Sequence, residues 1–294
     1  MDESREQAEL LRRVRELELV ARRNAAGFLS GNYVTSVRGK GMEFHEARKY
    51  VHGESIRMID WNITARMTEP YVKIFHDERD REVFIALDVS PSMHTGWQER
   101  TKLEYAVETA ATLAVCAAGQ QDKIGFLTFS DRVHESARPA GGPRALFRAL
   151  RGFLRAQYRP PTPTRESDPR AAIHAIQNIR GKRFVVFLIS DFIDHDIPED
   201  LKFMEKKHDL SLLHIYDPIE YAPDADVLLP AFSPEGGKGS APIRPGQGGG
   251  LEEMRAFLRD QAGRYGMSTT SMSTRDPAHR VLTEFFHHKR KRNH

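Results

Sequence analysis

The chain has 294 residues, 39% of them hydrophobic, which is enough apolar material for a large domain with a packed core. Its 44 basic and 41 acidic residues leave a net charge of only +3, which argues against a protein built mainly to bind nucleic acid. The single cysteine, Cys116, excludes an internal disulfide, and its alanine-rich surroundings predict a buried side chain.

The amino terminus predicts a helix followed by an irregular segment. Residues 5–23 carry apolar side chains at helical spacing, namely Leu10, Val14, Leu17 and Ala21. Residues 28–82 lack a sustained period and contain short extended pieces such as residues 71–75. We therefore expect residues 1–82 to form a helix and an irregular, partly β segment that packs on the main domain, which comprises residues 83–294.

From residue 83 onward, apolar strands alternate with amphipathic helices. Strands are predicted at residues 83–87, 124–129, 184–189 and 210–216, with a hairpin partner at 132–138 on the sheet edge. Helices are predicted at residues 102–118, 143–157, 169–179 and 199–207. This alternation predicts an α/β fold, a Rossmann-like, mostly parallel sheet with helices on both faces.

The last part of the chain predicts a long loop and a closing αβα unit. Residues 222–250 are rich in Pro and Gly, and they precede a helix at 251–265, a weak strand at 268–274 and a helix at 277–287. The basic tail at 287–294 is expected to be frayed. No signal peptide precedes the first helix, and the longest apolar run, residues 184–189, is too short to span a membrane, so we expect a cytoplasmic protein without a membrane span.

The main chemical signal is Asp88-Val89-Ser90-Pro91-Ser92, directly after a buried strand. In open α/β sheets, ligands bind at the carboxyl ends of the strands. Alternate residues of an extended loop can converge on one point, and a carboxylate with two hydroxyls offers the hard oxygen ligands that suit Mg²⁺, Mn²⁺ or Ca²⁺. The sequence therefore predicts a divalent-metal site at Asp88, Ser90 and Ser92.

Two other loops are expected to contribute to this site. Asp191 ends the strand at 184–189, and the loop before residue 169 offers the hydroxyls of Thr162, Thr164 and Ser167. Such a set has few negative charges and many hydroxyls, so it leaves a metal under-neutralised and able to accept a carboxylate from outside. That chemistry is typical of a site that grips a protein partner.

Three other interpretations compete with this one. In the first, Asp88 and the two serines only close a strand–helix turn, because Asp and Ser are common helix N-caps. In the second, a metal-dependent phosphohydrolase or phosphotransferase uses Asp88 as its nucleophile, but such an enzyme needs a general acid two residues later, where this chain has Ser90. In the third, the chain is a structural scaffold whose metal site has decayed.

His94 lies two residues after the Asp88–Ser92 motif, and we expect it to be exposed on a turn.

A family resemblance adds to these signals. The Asp-x-Ser-x-Ser motif resembles the metal-ion-dependent adhesion site of von Willebrand factor A domains. A longer upstream signature resembles the bacterial family called domain of unknown function 58, and it consists of Gly41-Met42-Glu43-Phe44, Arg48-Lys49-Tyr50, Gly53-Glu54 and Arg-Met-Ile-Asp-Trp-Asn-Ile-Thr-Ala-Arg at 57–66. With Pro70-Tyr71-Val72-Lys73, Glu78-Arg79-Asp80 and Asp217-Pro218, the resemblance covers about residues 35–220.

The resemblance implies a von Willebrand factor A-like fold and a non-enzymatic, metal-dependent protein-binding role. The ligands that it implies are Asp88, Ser90, Ser92 and Asp191, with one hydroxyl from the third loop. That hydroxyl is usually a Thr followed by Asp, whereas this chain has Ser167-Asp168, so Ser167 and Thr164 both stay candidates. Family members are often similar to companions of MoxR-type AAA+ ATPases, and these family members are thought to act in assembling or activating other proteins. Many of them carry amino-terminal membrane helices, which we do not expect in this chain.

The Arg- and Trp-rich signature has two interpretations of its own. In the first, its polar and aromatic side chains bind a ligand; in the second, they pair and stack so that the irregular segment is fastened onto the sheet. The second is favoured, and the residues concerned are Arg48, Arg57, Asp60, Trp61 and Arg66.

Overall fold

The computed structural model describes residues 2–26, 42–51, 54–56, 59–67, 69–77, 81–96, 100–158, 167–179, 183–193, 201–221 and 250–292. The chain divides into two compact units, the larger formed by residues 1–37 with 82–294 and the smaller by residues 38–81. In chain order the elements are α1 (Asp2–Ala26), β1 (Met42–Lys49), α2 (Trp61–Thr64), β2 (Tyr71–Asp77), β3 (Glu82–Asp88), α3 (Lys102–Gly119), β4 (Lys123–Phe129), β5 (Val133–Ala140), α4 (Pro143–Tyr158), α5 (Pro169–Gln177), β6 (Phe184–Ser190), α6 (Leu201–Lys207), β7 (Asp209–Tyr216), α7 (Leu251–Arg264), β8 (Ser268–Ser273) and α8 (Ala278–Arg292).

The larger unit is built on a six-stranded sheet in the order β5–β4–β3–β6–β7–β8. All pairs are parallel except β4 with β5, which is the antiparallel edge hairpin that the sequence predicts. The α/β fold with a mostly parallel sheet is therefore confirmed. Because β3, β4, β6, β7 and β8 run in the same direction, their carboxyl ends meet at one edge, where the candidate metal residues lie.

Both faces of this sheet are covered, as the continuous apolar strands predict. Along β3, Val83, Ile85 and Leu87 enter the core cluster that contains α3, α4 and α8 residues. Phe84 and Ala86, which point to the opposite face, enter the cluster with α5, α6 and α7 residues. The predicted burial of Cys116 is confirmed, since its side chain is fully buried on α3.

Helix α1 belongs to the core of the larger unit, although the sequence groups it with residues 1–82. Its predicted stripe is confirmed, with Val14 and Ala21 buried and Leu10 and Leu17 packed against the same cluster. The Arg13 guanidinium lies 3.9 Å above the Tyr158 ring of α4. The helix therefore covers part of the layer formed by α3 and α4.

The prediction of a frayed basic tail was wrong for most of its length. Helix α8 continues to Arg292, and Lys289 is only 4% exposed. The Lys289 ammonium donates to Ser211 Oγ at 2.9 Å and lies 2.9 Å from Asp209 Oδ1. The ion pair between Lys289 and Asp209 therefore fixes the last turns of α8. A run of basic residues in the sequence does not reveal that one of them has such a partner.

The smaller unit is an antiparallel pair of strands, β1 and β2, with the single-turn helix α2 before β2. Asp60 Oδ1 accepts hydrogen bonds from the backbone N–H groups of Asn62 and Ile63, so it caps α2. Arg48 forms a bidentate ion pair with Glu54. Trp61, the first residue of α2, is 65% exposed.

His208 should make stability depend on pH at the end of the sheet opposite the candidate site. Its buried ring stacks on Phe184 at 4.7 Å, and its Nδ1 accepts the Phe184 N–H at 3.1 Å. Burial lowers its pKa from 6.5 to about 4, and the charges of Lys207 and Arg183 act in the same direction. With a folded pKa below the unfolded one, the stabilisation is present above pH 6.5 and is lost as the pH falls through 4.

We expect His208→Gln to remove this dependence while keeping an acceptor for the Phe184 N–H. Between pH 7 and 4 the wild type should lose about 3 kcal/mol more of its unfolding free energy than the variant. Urea unfolding of both proteins across this range measures the difference. Parallel pH profiles would contradict the assignment.

Candidate metal centre

Asp88 lies at the centre of the candidate site, at the carboxyl end of β3, and is fully buried. Its Oδ2 accepts hydrogen bonds from Ser167 Oγ and Ser190 Oγ, both at 2.6 Å. Its Oδ1 accepts the backbone N–H of Ser90 at 2.9 Å. The loop after β3, the loop before α5 and the last residue of β6 therefore converge on one carboxylate.

The two motif serines lie together beside Asp88. After β3 the chain forms a single 3-10 turn, Pro91–His94, and the Oγ atoms of Ser90 and Ser92 are 3.0 Å apart. Ser90 sits at the N-cap of this turn but its side chain makes no capping hydrogen bond. The hydroxyls therefore face each other instead of serving the helix end, while Asp88 does close the local turn through the Ser90 N–H.

Asp191 follows the neighbouring strand β6 and is 2% exposed. The two strands are neighbours, because β3 pairs with β6 from Glu82↔Phe184 to Leu87↔Ile189. Phe192, the next residue, adopts a left-handed backbone conformation (φ 49°) that is strained for a large side chain. Its ring is buried, and its N–H donates to Ser190 Oγ at 3.1 Å, so the turn that carries Asp191 is fixed on both sides.

A buried lysine lies in the same place. Lys102 begins α3, and its Nζ is 2.8 Å from Asp191 Oδ2 and 2.5 Å from Glu220 Oε1. Its side chain is fully buried, and that of Glu220 is mostly buried. Burial disfavours the charged form of Lys102, but the attraction of Asp191 and Glu220 outweighs burial and raises its pKa. The ammonium therefore stays charged in the core.

Glu220 connects Lys102 to the loop after β3, which carries Ser90 and Ser92. It lies in the 3-10 turn Pro218–Tyr221 after β7, and its Oε2 accepts the Asp217 N–H at 3.2 Å. The hydroxyl of Thr95 is 3.3 Å from Glu220 Oε1 and donates to the Ser92 carbonyl at 2.7 Å. Burial raises the pKa of Glu220, and the positive charge of Lys102 opposes this rise.

The electrostatics of Asp88 favour a bound cation. Burial and the negative charge of Asp191 together raise the pKa of Asp88 to about 6, although the hydrogen bonds from Ser167, Ser190 and the Ser90 N–H act in the opposite direction. A buried carboxylate with a raised pKa lacks sufficient positive compensation. A divalent ion would supply it.

The donor set fits a hard divalent cation with low charge compensation. The structure brings Asp88, Ser90, Ser92, Ser167 and Asp191 to the same edge of the sheet, and each offers only oxygen. Thr164, the alternative third-loop ligand, lies outside the described residues. Within the described ranges, no group of three or more His, Cys, Asp or Glu side chains is arranged so that it could hold a metal ion.

Three residues of the site were not singled out from the sequence. Ser190 stands beside Asp191, so the strand-end position that pointed to Asp191 pointed to it as well. Lys102 offered a signal, because a positive charge in the first turn of a helix opposes the helix dipole and calls for a partner. Glu220 offered none. His94, expected to be exposed, is partly buried, and its Nε2 has no hydrogen-bond partner among the residues that the structure describes.

Comparison with known proteins gives a family and several distant relatives. Residues 46–229 match the family described as "Protein of unknown function DUF58". The uncharacterized protein Rv1480 of Mycobacterium tuberculosis is 27% identical over 219 residues, which cover 74% of this chain and 68% of that protein. The uncharacterized protein Mb1516 of Mycobacterium bovis matches to the same extent.

Solved structures match at the level of the fold. An aerotolerance-related membrane protein from Bacteroides fragilis superposes with a TM-score of 0.50 and 18% identity, over 72% of this chain and 99% of that one. The SpRpn10 VWA domain gives a TM-score of 0.36 and 14% identity, over 70% and 93% of the two chains. In the part of the chain that the structure describes, no helix is long and apolar enough to cross a membrane.

Proposed function

Since the chain belongs to the DUF58 family of unknown function, its role has to be inferred from its site, and we propose that it is a non-enzymatic, metal-dependent protein-binding module. A divalent cation, Mg²⁺ or alternatively Mn²⁺ or Ca²⁺, is held by the carboxylates Asp88 and Asp191 and by the hydroxyls of Ser90, Ser92 and Ser167 or Thr164. The observation that supports this most directly is the fully buried, under-compensated Asp88 among these hydroxyls.

The charge of the site supports a carboxylate from a partner as the final ligand. Asp191 shares one of its oxygens with the Lys102 ammonium, so it offers a metal less than a full negative charge. The remaining donors next to Asp88 are neutral hydroxyls. A divalent ion held there keeps an excess of positive charge and attracts an Asp or Glu side chain from another protein.

The site gives less support to the metal-dependent phosphohydrolase or phosphotransferase alternative. The general acid expected two residues after Asp88 is replaced by Ser90, whose hydroxyl does not titrate near neutral pH. The hydrogen bonds that Asp88 accepts would hold a metal ligand and a nucleophile equally well, so the missing acid is what favours ligation.

The class of protein that binds to this site is proposed from the family resemblance. A MoxR-type AAA+ ATPase is the partner we expect, or a protein that such an ATPase assembles or activates, in the cytoplasm. A contact made through a metal-bound carboxylate suits the assembly or activation of other proteins because it is reversible, ending when the partner's carboxylate leaves the metal. No nucleic acid is expected to bind, in line with the balanced charge of the chain.

Affinity capture from a bacterial cytoplasm tests the proposal. Wild type, Asp88→Ala and the control Asp260→Ala, which changes an exposed aspartate on α7, are each used with Mg²⁺ and with EDTA. We expect one protein to be retained by wild type and Asp260→Ala only in Mg²⁺, and by Asp88→Ala in neither condition. Mutating the acidic residues of the captured protein should then abolish its retention.

Two outcomes would overturn this function. Equal capture in every condition would exclude the metal as the gripping element. Metal-dependent release of phosphate from p-nitrophenyl phosphate that disappears in Asp88→Ala would establish the enzymatic alternative instead.

A further inference from the structure

The metal-dependent grip leaves Lys102 without an assigned role. An unneutralised lysine is expensive to bury, and replacing a buried ion pair by apolar side chains is often neutral or stabilising. Lys102 is nevertheless fully buried, at the amino end of α3, where the helix dipole also disfavours a cation. Its position cannot be explained by packing alone, because its ammonium is directed at two carboxylates.

Lys102 offsets part of the negative charge that its surroundings offer a divalent ion. Asp88, Asp191 and Glu220 contribute three negative charges when ionised, and Lys102 contributes one positive charge. The cluster therefore carries two net negative charges. Glu220 does not belong to the proposed ligand set, and its Oε1 is directed at Lys102.

We propose that Lys102 is a built-in counter-ion that sets the affinity of the metal site, with Glu220 as the residue that holds it in place. This rests on the proposed metal site and deepens it. The Lys102 ammonium donates a hydrogen bond to Asp191 Oδ2, so Asp191 has only its other oxygen, and less negative charge, to offer the metal. Binding of the ion is thereby weakened, and the ion retains more attraction for a carboxylate of a partner.

Glu220 also places the lysine within a longer connection. From Asp191 the contacts pass through Lys102 and Glu220 to the Thr95 hydroxyl, which donates to the carbonyl of Ser92. The two loops that present metal ligands, after β3 and after β6, are therefore joined by a charged bridge that includes the turn after β7. Lys102 and Glu220 are positioning residues in this scheme, because neither touches the metal.

A charge series separates this role from a structural one. The dissociation constant for Mn²⁺ is measured by electron paramagnetic resonance in wild type, Lys102→Met, Glu220→Gln and the double variant. Lys102→Met removes the positive charge, so we expect Mn²⁺ to bind on the order of tenfold more tightly. Glu220→Gln should weaken Mn²⁺ by a similar factor, and the double variant, with the wild-type net charge, should return close to the wild-type affinity.

Lys289→Met provides the matched control, since Lys289 is another buried lysine paired with an aspartate, on α8. It should leave Mn²⁺ affinity unchanged even if it lowers stability. Circular dichroism verifies that each variant is folded, and the double variant, which removes both members of the pair, covers the case in which Lys102→Met does not fold.

The outcomes distinguish this inference from the function on which it rests. If wild type binds Mn²⁺ but Lys102→Met binds it more weakly, or the double variant stays as weak as Glu220→Gln, Lys102 is only a structural member of the site and the inference is overturned. If wild type binds no Mn²⁺ at all, the proposed metal site fails and the inference fails with it.

Discussion

Replacing Asp88 by Asn should weaken Mg²⁺ binding by a factor of about 100 or more and, in the absence of metal, stabilise the fold. Loss of an outer-shell residue already costs a metal site up to about 100-fold in affinity, and Asp88 is the central ligand of the proposed set. The same carboxylate is fully buried, so its neutral replacement removes an electrostatic cost from the metal-free protein. Isothermal titration with Mg²⁺ and urea unfolding in EDTA measure the two effects.

The sign of the second effect follows from the pKa. Because the pKa of Asp88 rises from 3.8 to about 6 on folding, the stability that it contributes is present below pH 3.8 and is lost as the pH rises through 6. At pH 8, Asp88→Asn should therefore stabilise the metal-free protein by about 3 kcal/mol. The comparison must be between variant and wild type at each pH, because His208 acts in the opposite direction.

The exposed Asp260 provides the control, since Asp260→Asn should change neither Mg²⁺ affinity nor the pH profile. An Asp88→Asn protein that binds Mg²⁺ as well as wild type would remove Asp88 from the ligand set. A variant that is less stable than wild type in EDTA at pH 8 would show that the hydrogen bonds to Asp88 outweigh its burial.

The second large effect is expected at Gly152, on α4. A Cβ atom at this position would lie 2.2 Å from Cε2 and 2.4 Å from Cζ of Phe126, a fully buried ring that also packs edge-on against Phe153. Neither the ring nor the helix can give way freely in a close-packed core. We expect Gly152→Ala to destabilise the protein by about 2 kcal/mol, although alanine is the better helix former.

Gly263, on α7, is the matched control because nothing lies within 4 Å of its added Cβ. Gly263→Ala should stabilise the protein by up to about 1 kcal/mol through helix propensity alone. The midpoints of urea unfolding should therefore move in opposite directions for the two Gly→Ala changes. A stabilised Gly152→Ala protein would mean that the Phe126 ring is not held against α4.

The fold could be predicted largely because its strands are covered on both faces. Continuous apolar stretches indicated β3 and β6, and the alternation of strands and helices indicated the parallel sheet. The end of α8 was mispredicted for a physical reason. Basic residues on a terminal helix look the same whether they are solvated or, as with Lys289, paired with an aspartate that is remote in sequence.

The site was predictable where chemistry followed strand ends and unpredictable where it depended on tertiary contacts. Asp88 and Asp191 could be placed together because both end apolar strands, and Ser167 lies in hydrogen-bond contact with Asp88. Lys102 and Glu220 are 118 positions apart in the numbering and meet only in the folded chain. The exposure of Trp61 could not be predicted either, because an aromatic residue within a polar signature gives no indication of whether the fold covers it.

The conformation of Phe192 bears on any attempt to make this protein more robust. A residue with φ of 49° is an obvious place to introduce glycine, which adopts that conformation without strain. Here the change would relax the backbone and also remove the buried ring that anchors the turn next to Asp191. The turn would then become more mobile next to Asp191, whose carboxylate needs a fixed position in the proposed metal site. A substitution chosen to relieve backbone strain would therefore loosen one of the proposed ligands.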